Sequence, residues 1–122
     1  MKIAVWYHLP AGGGKRAVHD QVEGLLSRGH QVEVWMPSRA DRAFMPLPES
    51  APQHVLPLEW SEPGVSRLQR WLRPASYARR LRAMREHAVA VGEAVRGFDV
   101  LLAHSCAWYA APHVARSSSV PC

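Results

Sequence analysis

K-I-A-V-W-Y-H-L-P-A-G-G-G-K-R, residues Lys2 to Arg16, decides how this chain is built. Lys2 to His8 is an apolar, β-branched run bounded by turn residues, the pattern of a strand buried on both faces. Leu9-Pro10-Ala11 leads into Gly12, Gly13 and Gly14, followed by Lys15 and Arg16. Beyond them Val18, Val22, Leu25 and Leu26 recur at i, i+4, i+7 and i+8, one face of an amphipathic helix. Gly29 ends that helix as a left-handed cap, with Arg28 in the last turn favouring the negative end of the dipole. Gln31 to Met36 reads as a second strand, stopped by Pro37. The unit is β-α-β with a glycine-rich turn at the helix N-terminus. Such a turn leaves N–H groups unpaired, which suits a phosphate or another anion.

Downstream, Pro46, Pro48 and Pro52 interrupt any regular element, so residues 38–52 read as a surface loop anchored by Phe44 and Met45. Residues 53–58 form a short third strand that Pro57 confines to an edge. Residues 65–73 carry Val65, Leu68 and Leu72 on one helical face. Pro74 breaks that helix and suits the first turn of the next. In residues 75–96, Tyr77, Leu81, Met84, Ala88, Val91 and Val95 recur at helical spacing as a core-facing stripe. Val100 to Ala103 is another continuous apolar strand, closed by His104-Ser105. A last helix is predicted over 106–116, and Val120-Pro121-Cys122 reads as the opening of a further strand. The alternation predicts an α/β fold, a doubly wound parallel sheet with strands in the order third, second, first, fourth. The first and fourth strands are then neighbours, and His8 and His104 end them beside the glycine turn. Their carboxyl ends form the topological switch point, where open α/β sheets bind ligands. The candidate ligand- and phosphate-binding residues are therefore His8, Gly12, Gly13, Gly14, Lys15, Arg16 and His104.

With 122 residues, 48% of them hydrophobic and 20% charged, the chain is long enough for one globular domain. Cys106 and Cys122 have no metal-ligand spacing and no framework partners, which points to a reducing compartment. Residues 100–115 are uncharged but too short to span a bilayer. The net charge of +5 is uneven. Arg67, Arg70, Arg73, Arg79, Arg80, Arg82 and Arg85 contribute +7 with no acid among them, so the rest of the chain sums to −2. Beside Trp60, Leu68, Trp71 and Leu72, this cluster suits an interfacial helix on an anionic membrane surface. A solvated helix face explains the charges equally well. No stacking aromatic is interleaved with the arginines of the long helix, so nucleic acid is not an expected partner.

Other motifs fail on spacing. Gly12-x-Gly14-x-x-Ala17 has the form of a dinucleotide fingerprint, with Ser38-Arg39 placed for a 2′-phosphate. However, Gly12 lies several residues beyond its strand, and Glu33 sits inside the second strand rather than at its end. Lys15 is followed by Arg16, and Leu9 stands where the first glycine belongs, so there is no P-loop. His8, His104 and Cys106 lack zinc-site spacing, and no metal is expected. Ser105 beside His104 has no third partner for a hydrolase triad. The residues alone leave open a stand-alone nucleotide- or phosphate-binding module and an NADP-binding oxidoreductase fragment.

The glycine-loop segment, L-L-S-R-G-H-Q-V-E-V (25–34) and F-D-V-L-L-A-H-S (98–105) resemble, in order and spacing, the N-terminal domain of GT-B glycosyltransferases of family 4. The resemblance covers the whole chain. It implies a Rossmann-like half of a two-domain enzyme and a retaining, metal-independent transfer of sugar from a nucleotide-sugar donor to a glycan or lipid-linked acceptor. It implies no cofactor. This half would mainly bind the acceptor, its glycine loop bordering the cleft near the donor phosphates. The donor site, with its carboxylate-bearing motif, would lie in a second domain outside these residues. A histidine that many members carry would fall beyond Cys122, so no catalytic residue is assigned. The expectation is one incomplete acceptor-side domain over residues 1–122, inactive alone, cytoplasmic and peripheral at the inner face of the membrane.

Overall fold

A strand with consecutive buried residues needs a hydrogen-bonding neighbour on each edge and a cover on each face. Strand β1, Lys2–His8, has both, and Ile3 through His8 are all buried. The computed structural model describes residues 1–59, 73–106 and 112–122, with Arg73 described by its backbone alone. After β1 come helix α1 (Gly13–Ser27), strands β2 (Gln31–Pro37) and β3 (Gln53–Leu56), helix α2 (Arg73–Ala94), strand β4 (Val100–Cys106) and the short helix α3 (Val114–Ser117). The sheet is parallel throughout, in the order β3-β2-β1-β4. This is the doubly wound α/β order that the alternation of strands and helices predicts.

Alternation along β1 divides the core in two. Ile3, Val5 and Tyr7 pack with Val18 and Val22 of α1 and with Val32, Val34 and Met36 of β2. Ala4 and Trp6 pack on the other face with Met84, Ala88, Val91 and Val95 of α2, and with Trp35, Phe98 and Leu101. Each large side chain removed from water this way is worth about 1.5–3 kcal/mol. The buried indole of Trp6 donates from Nε1 to Nε2 of His87 at 3.1 Å, and His87 Nδ1 donates to the carbonyl of Pro57 at 3.3 Å. A buried polar tip is thus hydrogen-bonded at every step.

Several local expectations are corrected. β4 continues through His104 and Ser105 to Cys106, so no helix begins at Cys106; α3 is confined to four residues, and 107–111 lie outside the described residues. The helix read over 65–73 likewise falls almost wholly outside them. In the loop after β2, Phe44 and Met45 are only half-buried, whereas Ala40, Leu47 and Ala51 reach the core. Tyr77 falls on the apolar stripe of α2 yet is 53% exposed, while Met84, Ala88, Val91 and Val95 are buried. Length explains it. The 22-residue helix spans about 33 Å, and a seven-residue strand about 23 Å. The surplus lies at the N-terminal end of α2, past the sheet. At the other end, Gly92 lets α3 approach, because a Cβ there would run into the carbonyl of Ser117.

The two sheet edges are managed differently. β3 has four residues and is flanked by Pro52 and Pro57, a poor template for further pairing. β4 is longer and apolar, and the backbone N–H of Leu101 bonds the carbonyl of Pro121 at 2.8 Å. Residues 120–122 thus start along this edge without covering its length. The 122-residue chain should therefore self-associate with rising concentration in sedimentation velocity, and removing residues 118–122 should strengthen the effect. A monodisperse monomer at high concentration would contradict this account of the edge.

Candidate functional site

The right-handed crossover from β1 to β2 sets the N-terminus of α1 at the carboxyl end of the sheet, beside the boundary between β1 and β4. Gly12 is the N-cap, at φ +148° and ψ −166°, a conformation L side chains rarely adopt. Its carbonyl accepts the first helical bond from Arg16 N–H at 3.1 Å. No side chain caps the helix and no acid stands in its first turn. The first-turn N–H groups of Gly13, Gly14 and Lys15 have no intrahelical acceptor. A Cβ added at Gly12 or Gly13 would meet nothing within 4 Å, whereas one at Gly14 would meet the Leu9 side chain at 3.2 Å. Among the described residues the turn is therefore open on its outer side at Gly12 and Gly13, and closed against Leu9 at Gly14.

Lys15 does not present its charge there. The residue is 1% exposed, and its Nζ donates to Tyr7 Oη at 2.8 Å and lies 4.2 Å from the centre of that ring. Burial pushes the Lys15 amine down from its ordinary range, with Asp41 opposing. Burial, with Asp41 again, pushes the Tyr7 hydroxyl up to about 12. The expected pair of cations beside the turn is thus reduced to Arg16, which is exposed. Lys15 belongs instead to the packing between α1 and β1.

The two histidines do not converge either. Trp6 lies opposite Ala103, but His8 lies opposite Cys106, so one extra residue of β4 is accommodated between them as a bulge. His104 faces α1, where Nε2 donates to Gln21 Oε1 at 2.7 Å. A hollow of about 240 Å³ opens beside it, lined also by Leu102 and Cys122. His8 lies on the α2 side, 3% exposed, with Nδ1 3.0 Å from Cys106 Sγ. The sheet separates the two rings. In the sequence His8 and Cys106 are weighed only as members of a metal set with His104; the bulge brings the two together, where regular alternation would have put Ser105 opposite His8. Among the described residues, no three His, Cys, Asp or Glu side chains group as metal ligands.

Of the arginine cluster, Arg67, Arg70 and Trp71 lie outside the described residues, as does the side chain of Arg73. Arg79, Arg82 and Arg85 are exposed, Arg80 is half-buried, and Arg82 pairs with Glu86 at 2.9 Å. At about 3.6 residues per turn, Arg79, Arg82, Arg85 and Val89 share the side of α2 opposite its core stripe. Val89 is 54% exposed there.

His8 enters the fold as a neutral ring. Burial, helped by the nearby His87 and Arg39, pushes its pKa down to about 4. Burial lowers those of His87 and His104 as well. The unfolded chain takes up these protons near pH 6.5 and the fold resists them. The stabilisation is therefore complete above pH 6.5 and is lost as the pH falls towards 4, by about 3 kcal/mol for His8 alone. Denaturant unfolding at pH 7 and pH 4.5 should show the loss, and His8→Gln should reduce the difference between the two pH values. An undiminished difference in that variant would exclude His8 as its source.

No curated protein and no solved structure matches the chain. The family model described as Glycosyltransferase Family 4 matches residues 11–122, from the glycine turn through the three later strands to the last residue. The match takes in far more than half of the chain, which therefore belongs to glycosyltransferase family 4.

Proposed function

We propose that residues 1–122 form the acceptor side of a retaining, nucleotide-sugar-dependent glycosyltransferase acting on a glycan or lipid-linked acceptor. The observation that carries this reading is the open glycine turn at the carboxyl end of β1, in a chain of this family. As a glycosidic bond to a diphosphate breaks, negative charge develops on the leaving oxygens. N–H groups fixed at a helix N-terminus stabilise such charge without reorganising. Gly13 and Gly14 supply them here, with the exposed Arg16 adding a positive charge within reach of the turn. His8 and His104 end up on opposite sides of the sheet, each bordering the carboxyl edge where an acceptor would lie. No described side chain offers a grip for a nucleoside, so the donor is held elsewhere, and residues 1–122 are inactive by themselves. The purified chain should show no sugar transfer. It should bind inorganic phosphate weakly by calorimetry, and replacing Gly12, Gly13 and Gly14 by alanine should weaken that binding at least tenfold while circular dichroism keeps the helix signal. Sugar transfer by the chain alone would overturn the division of labour, and phosphate binding unchanged by the replacements would move the anion site away from the turn.

We also propose that α2 faces an anionic membrane surface, the cytoplasmic leaflet for a lipid-linked acceptor. The exposed Arg79, Arg82 and Arg85 support this, with Glu86 the one acid between residues 79 and 89 and the exposed Val89 one turn after Arg85, since a cationic excess beside an apolar residue suits the headgroup boundary. No described helix is long and apolar enough to cross a membrane, so the association would be peripheral. Sedimentation with anionic vesicles should exceed that with neutral ones and fall with salt. Equal binding to both would exclude charge as the cause.

A further inference from the structure

We propose that Cys106 is a positioning residue: its thiol donates to Nδ1 of His8 and so holds the neutral ring with its proton on Nε2, a donor kept for a ligand oxygen. The proposal rests on the reading of the carboxyl end of the sheet as the ligand site. The geometry comes first. The two side chains end adjacent strands, 3.0 Å apart, and both are more than nine-tenths buried, at 3% and 7% exposure. They meet only because the bulge after Trp6 brings Cys106, rather than Ser105, opposite His8.

A neutral imidazole offers one donor and one acceptor, and its neighbours select which nitrogen carries the proton. Sulfur is a weak acceptor, whereas a bare ring nitrogen is a strong one, so the shared proton belongs on the thiol. The alternative would spend the ring's N–H on sulfur and leave Nε2 as an acceptor only. His87, in the same layer, shows the contrast. Its Nε2 accepts from Trp6 and its Nδ1 donates to Pro57, so that ring is fully used and holds the opposite tautomer. His8 has no partner for Nε2 among the described residues. It is a buried ring with a spare donor, four residues before the glycine turn. Its Nε2 is not among the fully buried atoms left without a partner, so it keeps contact with solvent, and an oxygen of a ligand at the end of β1 would take the place of water on it. The ligand chemistry is a hydroxyl or phosphate oxygen.

The test is long-range nitrogen–proton NMR on the histidine-labelled 122-residue chain. His8 should show the Nε2–H form in the unsubstituted chain and in Cys106→Ser, whose hydroxyl can still donate. Cys106→Ala should give a mixture of the two forms. The Nδ1–H form in the unsubstituted chain overturns the proposal whether or not the alanine variant folds. So does an unchanged Nε2–H form in a folded Cys106→Ala. Inorganic phosphate and methyl glucoside are then added separately. A shift of the His8 Nε2 signal with phosphate alone makes the ligand oxygen anionic, and a shift with the glucoside makes it a hydroxyl. A shift with neither removes the ligand half of the proposal. The tautomer readout is independent of sugar transfer and of the glycine replacements, so failure here and failure of the transferase reading are told apart.

Discussion

β1 has to be covered on every side. Six consecutive buried residues, Ile3 to His8, leave both rows of backbone groups and both faces of side chains needing partners away from water. β2 and β4 take the backbone, and α1 and α2 take the faces. The polar tips on this strand raise the demand further. Trp6 N–H requires an acceptor and finds His87; Tyr7 Oη accepts from Lys15 and lies within reach of the Asp41 carbonyl. Both helices are therefore pinned to β1 by a buried hydrogen bond as well as by apolar contact.

The position of the glycine turn follows from that arrangement. Because β1 is central and the crossover to β2 is right-handed, the start of α1 emerges at the carboxyl end of the sheet beside β4. Gly12, in a backbone conformation hostile to side chains, then turns the chain into the helix while leaving the outer side of the turn open. The excess length of α2 lies past the same end of the sheet, so its basic first turns and the glycine turn belong to one end of the molecule. The same packing also consumes a cation: once α1 lies on β1, Lys15 points inward to Tyr7 rather than outward to the turn.

The layout of the fold was legible in the residues because it rests on local periodicity. The run of buried types in β1, the i, i+4, i+7 spacing of Val18, Val22 and Leu25, and the prolines around β3 each act over a few residues. Strand order then follows from the handedness of the connections. The glycine turn was legible for the same reason. Tyr77 was misread because periodicity specifies a face of a helix and not whether a sheet lies beneath that turn. The reach of β4 to Cys106 was also missed, since His104 and Ser105 look like the polar close of a strand.

The sequence by itself determined a parallel α/β sheet in the order β3-β2-β1-β4, with a glycine-rich turn at its carboxyl end and a basic stretch in α2. Only the tertiary structure decided what surrounds that turn. Lys15 is turned inward by contact with a residue on another element. His8 and His104 are parted by the sheet, and Cys106 is brought to His8 by one bulged residue between strands almost a hundred positions apart in the chain. A single-residue shift of register moves a side chain to the other face of a sheet. No local pattern in the sequence encodes that shift, because it is settled by the fit of β4 against β1.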